Sequence, residues 1–477
     1  MNDYSASLQQ TTPATSLEDI DNTLQPTPLE TAAQLDAFYR PEINKVRGGD
    51  KMQRLQIVLN QMYRKKLFFT ACVMGHRGVG KSTELSRLIN QVANQFSTIR
   101  FSAMTALDPG NFKPLDVLLL MIVEVTERTA EPIDKGGAGK PPSDARLREI
   151  WDWFATEKDT REQTRTMAAS IEAGAGTKED SLWGKVLGLF ANLKGEMKFA
   201  ATRKTEVVDY RTSRLTSLIE IANRLLDECN RLLQDATGRQ WLFVGEDFDR
   251  AGIPSTLIED LFITYANIFQ DLRTHLIFTL PIGLYYSSNA ARLPFPSDRS
   301  YVISDTPMYR IDHTPHENGR NAVEAVLRTR MDLNLFEPNQ LLRVIVASGG
   351  NLSNVFSLVN YAAISALIRS ATQINEADVT GAIVNLRSDY ERRLGQSPFD
   401  LEEVTYSDKA DLLKRIYNGE KAAQMTNPVL YSLLNARAVQ EFNGQRWFGV
   451  HPLVVDILTA QNQLIPDSAG AILGGSF

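Results

Sequence analysis

The stretch from Gly75 to Ser82, Gly-His-Arg-Gly-Val-Gly-Lys-Ser, decides the fold of this 477-residue chain. It matches the phosphate-binding pattern G-x-x-x-x-G-K-[ST] at every fixed position. The apolar run LFFTACVM (67–74) precedes it and predicts a strand buried on both faces. After it, the spacing of Leu85, Leu88 and Val92 predicts a helix over about 81–95. A strand, a glycine-rich loop and a helix in this order are the context in which the pattern binds a nucleotide.

The loop carries the groups that hold a triphosphate. Its glycines let successive backbone N–H groups face the phosphates, and the following helix adds the positive end of its dipole. Lys81 is expected to reach the β- and γ-phosphates, and the Ser82 hydroxyl is expected to bind Mg²⁺. The predicted nucleotide-binding residues here are Gly75, His76, Arg77, Gly78, Val79, Gly80, Lys81, Ser82 and Thr83.

Three carboxylates, on Glu246, Asp247 and Asp249, follow the apolar run QWLFV (240–244), which predicts another buried strand. One carboxylate is expected to hold Mg²⁺ through water, and another to polarise the attacking water. No [NT]-K-x-D guanine-reading signature follows the later strands, which favours ATP over GTP. The predicted cofactors are therefore ATP and Mg²⁺.

The rest of the pattern predicts an α/β protein: a doubly wound parallel-sheet core with a helical insertion, an all-α lid domain and a C-terminal winged helix. In the core (40–312), strands are expected at 98–103, 240–244 and 275–279, with Met308 to Ile311 as a candidate fifth, and the insertion spans 130–205. Amphipathic helices predict the lid over 313–400. Helices followed by an Asn443-Gly444 hairpin signal predict the winged helix over 401–466.

The two ends of the chain differ from this core in composition. Residues 1–39 contain no Lys or Arg and are rich in Thr, Ser, Gln and Pro, which predicts a disordered or loosely attached acidic arm. Residues 467–477 are small and Gly-rich and are expected to form a flexible tail.

The overall composition excludes several classes of protein. A net charge of −6 argues against a general nucleic-acid coat, and two cysteines exclude a disulfide scaffold. The five histidines show no metal-ligand spacing, so no structural metal is expected, and His451 is interpreted as a capped core or wing histidine. No run reaches the length of a transmembrane helix, which predicts a cytoplasmic protein without stable membrane insertion. The amphipathic segment 182–197 could lie on a membrane, but packing on its own domain or a partner is favoured.

The glycine-rich loop, the run Glu-Asp-Phe-Asp-Arg (246–250) and the order of elements resemble the AAA+/STAND branch of P-loop ATPases. The nearer relatives are KAP-like and origin-recognition-like ATPases of prokaryotes, and the resemblance covers about 40–130 and 212–460. It implies that Glu246 takes the Mg²⁺-side place and Asp247 the water-activating place. Glu246 departs from the usual Asp, so exchange of the two roles stays open.

The same resemblance assigns other positions. Thr279 stands where a polar sensor reads the γ-phosphate, and Arg47 lies in the segment that passes over adenine. Residues 349–354 stand at the lid motif, but its proline and sensor arginine are absent, which predicts slow intrinsic hydrolysis. Arg292 and Arg299 are candidates for an arginine finger supplied in trans, or ordinary surface arginines.

The function implied by the resemblance is an ATP-dependent molecular switch that controls a separately encoded effector or regulatory protein, as in prokaryotic defence or signalling systems. ATP-dependent homo-oligomerisation stays open. The alternative is a DNA-binding ATPase, initiator-like or a transposition regulator. Residues 401–477 carry eight acidic and six basic side chains, so DNA is not favoured.

Overall fold

A five-stranded parallel sheet lies at the centre of the computed structural model, which describes residues 11–155, 181–199, 209, 211–250, 252–395, 403–442 and 447–465. The strand order is β2-β3-β4-β1-β5, and every neighbouring pair is parallel. The carboxyl ends of parallel strands meet at one edge, where ligands of such sheets bind. The α/β fold class expected from the sequence is therefore confirmed. The strands are β1 (Thr70–Met74), β2 (Phe96–Ser102), β3 (Gln240–Glu246), β4 (His275–Leu280) and β5 (Ser300–Val302).

The fifth strand is not the one that the sequence suggested. The expectation of a strand from Met308 to Ile311 is wrong: within this segment Tyr309 forms only an isolated bridge to Pro315. The strand that pairs with β1 is Ser300–Val302. Its three residues are too few to give a recognisable apolar run, which is why the sequence did not reveal it.

Helices cover both faces of the sheet, as its buried strands require. They begin with four helices before β1: α1 (Ile20–Thr23), α2 (Ala32–Phe38), α3 (Glu42–Val46) and α4 (Lys51–Arg64). Those between β1 and β3 are α5 (Lys81–Val92), α6 (Ala103–Ala106), α7 (Pro114–Ala130), α8 (Asp144–Ala155), α9 (Leu182–Lys198) and α10 (Leu215–Thr237). Beyond β3 come α11 (Ser255–Glu259), α12 (Asn267–Asp271) and α13 (Ile282–Tyr285).

Helix α9 lies in the predicted insertion and buries its apolar side, including Val186, Phe190 and Met197, in the main hydrophobic core. Lys194 on its polar side forms ion pairs with Glu124 and Glu127 of α7. This helix therefore packs on its own domain. None of the helices in the described part of the chain has the length and apolar character needed to cross a membrane.

The C-terminal third is mainly helical. The lid contains α14 (Glu317–Arg328), α15 (Gln340–Ala347), α16 (Leu352–Ile368) and α17 (Glu376–Leu394). The C-terminal domain contains α18 (Tyr406–Tyr417), α19 (Pro428–Asn435), β6 (Val439–Phe442), β7 (Trp447–Val450) and α20 (Pro452–Ala460). β6 and β7 pair antiparallel, as a wing hairpin would. The Asn443-Gly444 turn and the tail predicted at 467–477 lie outside the described residues.

The segment of residues 11–40, named here the N-terminal strap, differs from the loosely attached arm expected from composition. Its apolar side chains, Leu17, Ile20 and Leu24 among them, are buried in the main core. Backbone hydrogen bonds join Ala14 to Arg330 and Asp332 of the lid at 2.8 Å each. The composition of residues 1–39, which are acidic and lack Lys and Arg, hid this packing, because the apolar residues are few and widely spaced.

Candidate functional site

The glycine-rich loop connects β1 to α5 and adopts a backbone that only glycine accepts easily. Gly78 has φ +85° and Gly80 has φ +105°. A Cβ on Gly78 would lie 2.4 Å from the Cβ of Ser353, at the start of lid helix α16. Glycine here therefore serves two purposes, the left-handed turn and the close approach of the lid.

Lys81 begins α5 and is buried within the loop. Its Nζ donates hydrogen bonds to the carbonyl oxygens of Gly75 and His76, each at 2.8 Å. It also forms an ion pair with Asp249 at 2.8 Å. The ammonium group is thus held where the loop curls, and Asp249 balances its charge at the place where phosphates would compete for it.

Glu246 ends β3 and is buried beside the loop. Arg100 on β2 donates two hydrogen bonds to its carboxylate, at 2.7 and 3.0 Å. Burial raises the pKa of Glu246, and the Arg100 charge and a hydrogen bond with Ser82 oppose the rise. The carboxylate and hydroxyl predicted to serve Mg²⁺ therefore lie together.

Asp247 is the next residue, and its backbone has φ +66°, a strained conformation for a side chain other than glycine. This conformation turns it away from Glu246 to accept hydrogen bonds from Ser102 Oγ at 2.5 Å and Arg250 Nε at 2.6 Å. Burial opposes its ionisation, but these two bonds outweigh burial and lower the pKa of Asp247. An ionised carboxylate at the strand end can orient a water molecule.

Thr279 lies near the end of β4, next to the same acidic run. Its hydroxyl is 3.5 Å from Asp249 Oδ1, at the limit of a hydrogen bond. Thr279, Asp247, Asp249 and residues 77–83 line one cavity of about 190 Å³, named here the nucleotide pocket. Of the predicted site residues, Gly75, His76 and Glu246 do not line it. The structure thus brings together the residues expected at the phosphates.

Arg47 lines the other side of the nucleotide pocket. It donates hydrogen bonds to Thr306 Oγ1 and to the Val79 carbonyl oxygen, both at 3.0 Å. Its Nη2 is buried and has no hydrogen-bond partner among the described residues. Apolar side chains of Ile43 and Phe356 lie nearby in the same pocket and suit a flat base.

The lid and the C-terminal domain both touch the glycine-rich loop. Asn351 Nδ2 donates to the Arg77 carbonyl oxygen at 3.0 Å, and Ser353 N donates to the Gly78 carbonyl oxygen at 3.1 Å. Arg437, which follows α19, donates to the same Arg77 oxygen at 3.3 Å. Contacts from two parts of the chain therefore converge on one loop.

A buried polar cluster supports this convergence. His76 Nδ1 lies 2.7 Å from Asp305 Oδ2, and Asn351 donates to Asp305 Oδ1 at 2.8 Å. Although burial opposes its ionisation, the hydrogen bond and charge of His76 hold the pKa of Asp305 well below its usual range. The cluster fixes the loop and the start of α16 to each other.

Sequence reasoning missed Arg100, Asp305 and Arg437, because each acts across a long sequence separation and none belongs to a local motif. Arg77, which was predicted to bind the nucleotide, and Arg250 both bring guanidinium groups to the pocket from the core itself, where the sequence suggested no arginine in cis. The two candidate trans arginines lie elsewhere. Arg292 is exposed, and Arg299 packs over the Phe69 ring, just before β1 begins.

The donor set fits ATP with Mg²⁺. In the described part of the chain, no group of three or more His, Cys, Asp or Glu residues could hold a metal ion alone. A Mg²⁺ ion here would take most of its ligands from phosphates and water, as this ion usually does. Ser82 and Glu246, or Asp247 in its place, would complete its ligands.

His451 supplies a pH-sensitive contact between the C-terminal domain and the lid. Its Nε2 lies 3.2 Å from the Ser348 carbonyl oxygen, and its Nδ1 accepts a hydrogen bond from Leu453 N at 3.2 Å. The bond from Leu453 requires the neutral ring, because Nδ1 accepts in it, whereas Nε2 can donate to Ser348 in either protonation state. Burial lowers the pKa of His451 to about 3, and the charges of Arg437 and Arg393 lower it while that of Asp305 raises it.

We expect this contact to weaken in acid. The unfolded chain binds a proton at His451 below its usual pKa of about 6.5, whereas the folded chain does not until about pH 3. Stability conferred by the neutral ring is therefore lost as the pH falls below about 6.5. The free energy of unfolding of the wild type should exceed that of His451→Gln by less at about pH 5 than at about pH 7.5. We expect this difference to shrink by about 2 kcal/mol between the two pH values.

Calorimetric unfolding of both proteins at the two pH values checks this expectation. The buried carboxyl of Asp456, whose pKa burial raises to about 6, titrates in the opposite direction, but it is present in both proteins and cancels. An advantage that does not change with pH would contradict the assignment.

No family model matches the sequence, and no curated protein is similar to it in sequence. Similar solved structures include the Aeropyrum pernix ORC1 protein in complex with DNA, at 13% identity and TM-score 0.36, covering 89% of this chain and 96% of that one. The Aeropyrum pernix ORC2 protein in ADPNP–ADP complexes has 10% identity and a TM-score of 0.37, and the match covers 87% of this chain and 94% of that one. The Thermotoga maritima RuvB Holliday junction branch migration motor has 10% identity and a TM-score of 0.36, and the match covers 93% of this chain and 100% of that one. At such low scores these likenesses say nothing of ligands or partners.

Proposed function

We propose that this protein binds and slowly hydrolyses ATP as an AAA+ molecular switch of the STAND branch. The observation that carries the proposal is the convergence on Arg77 and Gly78: lid residues Asn351 and Ser353 and the C-terminal Arg437 all bond the phosphate-binding loop. A ligand that displaces or strengthens these bonds would bias the arrangement of lid and C-terminal domain. The nucleotide state would then be transmitted to a partner.

The proposed roles follow the contacts. Lys81 would exchange Asp249 for the β- and γ-phosphates, and the loop N–H groups would hold the remaining phosphate oxygens. Glu246 and Ser82 would hold Mg²⁺, partly through water. Asp247 would orient the attacking water, because its lowered pKa keeps it ionised. Thr279 would sense the γ-phosphate.

The bonds that the arginines of the nucleotide pocket already make predict slow ATP hydrolysis. Arg250 is committed to Asp247, and Arg47 is committed to Val79 and Thr306. Arg77 is exposed and makes no ion pair within the described residues, so it is the candidate that could reach a γ-phosphate in cis. Arg292 or Arg299 from a neighbouring copy is the alternative, and homo-oligomerisation would supply it.

The partner that best suits such a switch is a separately encoded effector or regulatory protein, in a prokaryotic defence or signalling system. The second candidate, a DNA-binding ATPase, rests on the two-stranded sheet and helices of the C-terminal domain. Acidic side chains outnumber basic ones in residues 401–477, and this excess favours a protein partner over DNA. A salt-dependent shift of labelled duplex DNA at physiological ionic strength would favour the DNA-binding alternative.

Hydrogen–deuterium exchange tests the switch directly. We expect ATP with Mg²⁺ and ADP with Mg²⁺ to give different protection at the start of α16 and around Arg437, because these segments bond the loop. Helix α9, which packs on α6, α7 and α8, serves as the internal control. Equal protection with both nucleotides would refute the switch, and no adenine-nucleotide binding would refute the whole proposal.

A further inference from the structure

A second cavity, of about 360 Å³, lies where the core, the lid and the C-terminal domain meet. It is named here the arginine cleft, after Arg77, Arg250, Arg393 and Arg437, which line it. It shares Arg77, Arg250 and Asp249 with the nucleotide pocket, whereas Arg393, Arg437 and Arg392, which is paired with Asp389, line the cleft alone. The cleft therefore adjoins the nucleotide pocket and has basic groups of its own.

The positive charge of the cleft is largely uncompensated. Arg250 is paired with Asp247 at 2.6 Å, and Asp249 is paired with Lys81. The guanidinium groups of Arg77, Arg393 and Arg437 form no ion pair with any described residue. Partial burial, and then repulsion from neighbouring guanidinium groups, lowers the pKa values of Arg77 and Arg393, although Asp249 and Asp247 raise that of Arg77 and Asp389 raises that of Arg393. Converging cations that outnumber the nearby carboxylates are the arrangement that an anion stabilises.

Two further polar groups at the cleft lack partners. Arg393 Nη1 and Ser432 Oγ are buried and make no hydrogen bond within the described residues. Ser432 is only 2% exposed. Because buried polar groups are nearly always bonded in proteins, a ligand oxygen would satisfy both.

The remaining wall of the cleft is apolar, with Phe248, Ile258, Ile282 and Leu434 on it. A cavity of this size, mostly apolar with a few converging charged groups, has the properties of a small-molecule site. An inorganic ion alone would leave that wall uncovered. The ligand class that matches both parts is an anion with an organic body.

We propose that the arginine cleft binds a second ligand, an organic anion with an apolar or aromatic body and at least two negative charges, while a nucleotide occupies the loop. The ligand would bridge the loop through Arg77, the end of lid helix α17 through Arg393, and the C-terminal domain through Arg437 and Ser432. This proposal rests on the proposed function in one respect. Binding of the ligand would favour the arrangement in which the lid and the C-terminal domain contact the loop.

The test uses the fluorescent dye bis-ANS, which combines two sulfonates with aromatic rings, and the full chain saturated with ADP and Mg²⁺. We expect saturable binding that weakens at least about tenfold in an Arg393→Gln/Arg437→Gln variant, because each guanidinium donates charge-assisted hydrogen bonds. Arg328→Gln, on an exposed lid arginine paired with Glu324, is the matched control and should change nothing. Circular dichroism confirms that the variants are folded.

Dye binding that is insensitive to the double variant, or that ADP abolishes, would overturn the proposal. The Lys81→Ala variant separates this site from the proposed function, because it should lose ATP binding and keep the dye. If the wild type bound the dye through these arginines but bound no adenine nucleotide, the proposed function would fail while the cleft proposal stood.

Discussion

Replacing Lys81 with alanine should weaken ATP binding at least about 100-fold. The ammonium group would donate charge-assisted bonds to phosphates, each contributing about 1.5–3 kcal/mol, and about 1.4 kcal/mol corresponds to a factor of ten. In the structure, the Lys81 ammonium group bonds the loop carbonyl oxygens and Asp249. Titration with a fluorescent N-methylanthraniloyl-ATP measures the affinity.

The variant does leave Asp249 without its cation, which could lower stability. A Lys81→Ala/Asp249→Ala double variant removes both charges and should recover stability without recovering ATP binding. Lys45→Ala, on a lysine of α3 outside the loop, is the control for loss of a positive charge. Unchanged ATP affinity in folded Lys81→Ala would remove the basis of the proposed function.

The second large effect is expected at the acidic pair after β3. Asp247→Asn should retain ATP and lower kcat by about 10²–10³, within the range of general-base contributions. The amide keeps one oxygen to accept from Arg250, and its NH₂ group can donate to the Ser102 hydroxyl, but it cannot take a proton from water. Release of inorganic phosphate, followed over time, measures turnover.

Glu246→Gln should act differently, because Glu246 lies beside Ser82 rather than beside Arg250. We expect the Mg²⁺ concentration for half-maximal activity to rise by about tenfold, as one charged ligand becomes neutral. Asp298→Asn, just before β5 and outside the nucleotide pocket, is the control. The reverse pattern would show that the two acids have exchanged roles.

Local sequence motifs predicted residues that the structure brings to one edge of the sheet. The strand before Gly75, the helix after Lys81 and the carboxylates after β3 all follow short-range rules of spacing, and parallel pairing then brings them to one edge. The fold class followed for the same reason. The three-residue strand Ser300–Val302 was missed, because so short a segment carries no periodic signal.

Long-range partners could not be predicted in the same way. Arg100 holds Glu246 across 146 positions, and Arg437 reaches the Arg77 carbonyl oxygen across 360. Nothing in the sequence near Arg437 marks it as a neighbour of the loop. The arginine cleft depends on such contacts, so its composition becomes visible only in three dimensions.

The N-terminal strap has a consequence for how long a nucleotide stays bound. Leu29 N donates to Thr83 Oγ1 at 3.1 Å, the Thr23 carbonyl oxygen accepts from Arg330 at 2.6 Å, and residues 26–29 line the nucleotide pocket. Local opening of the strap would therefore widen the way out for a bound nucleotide, at the cost of the apolar contacts of its buried leucines. A protein that captured the open strap would then speed nucleotide release and act as an exchange factor.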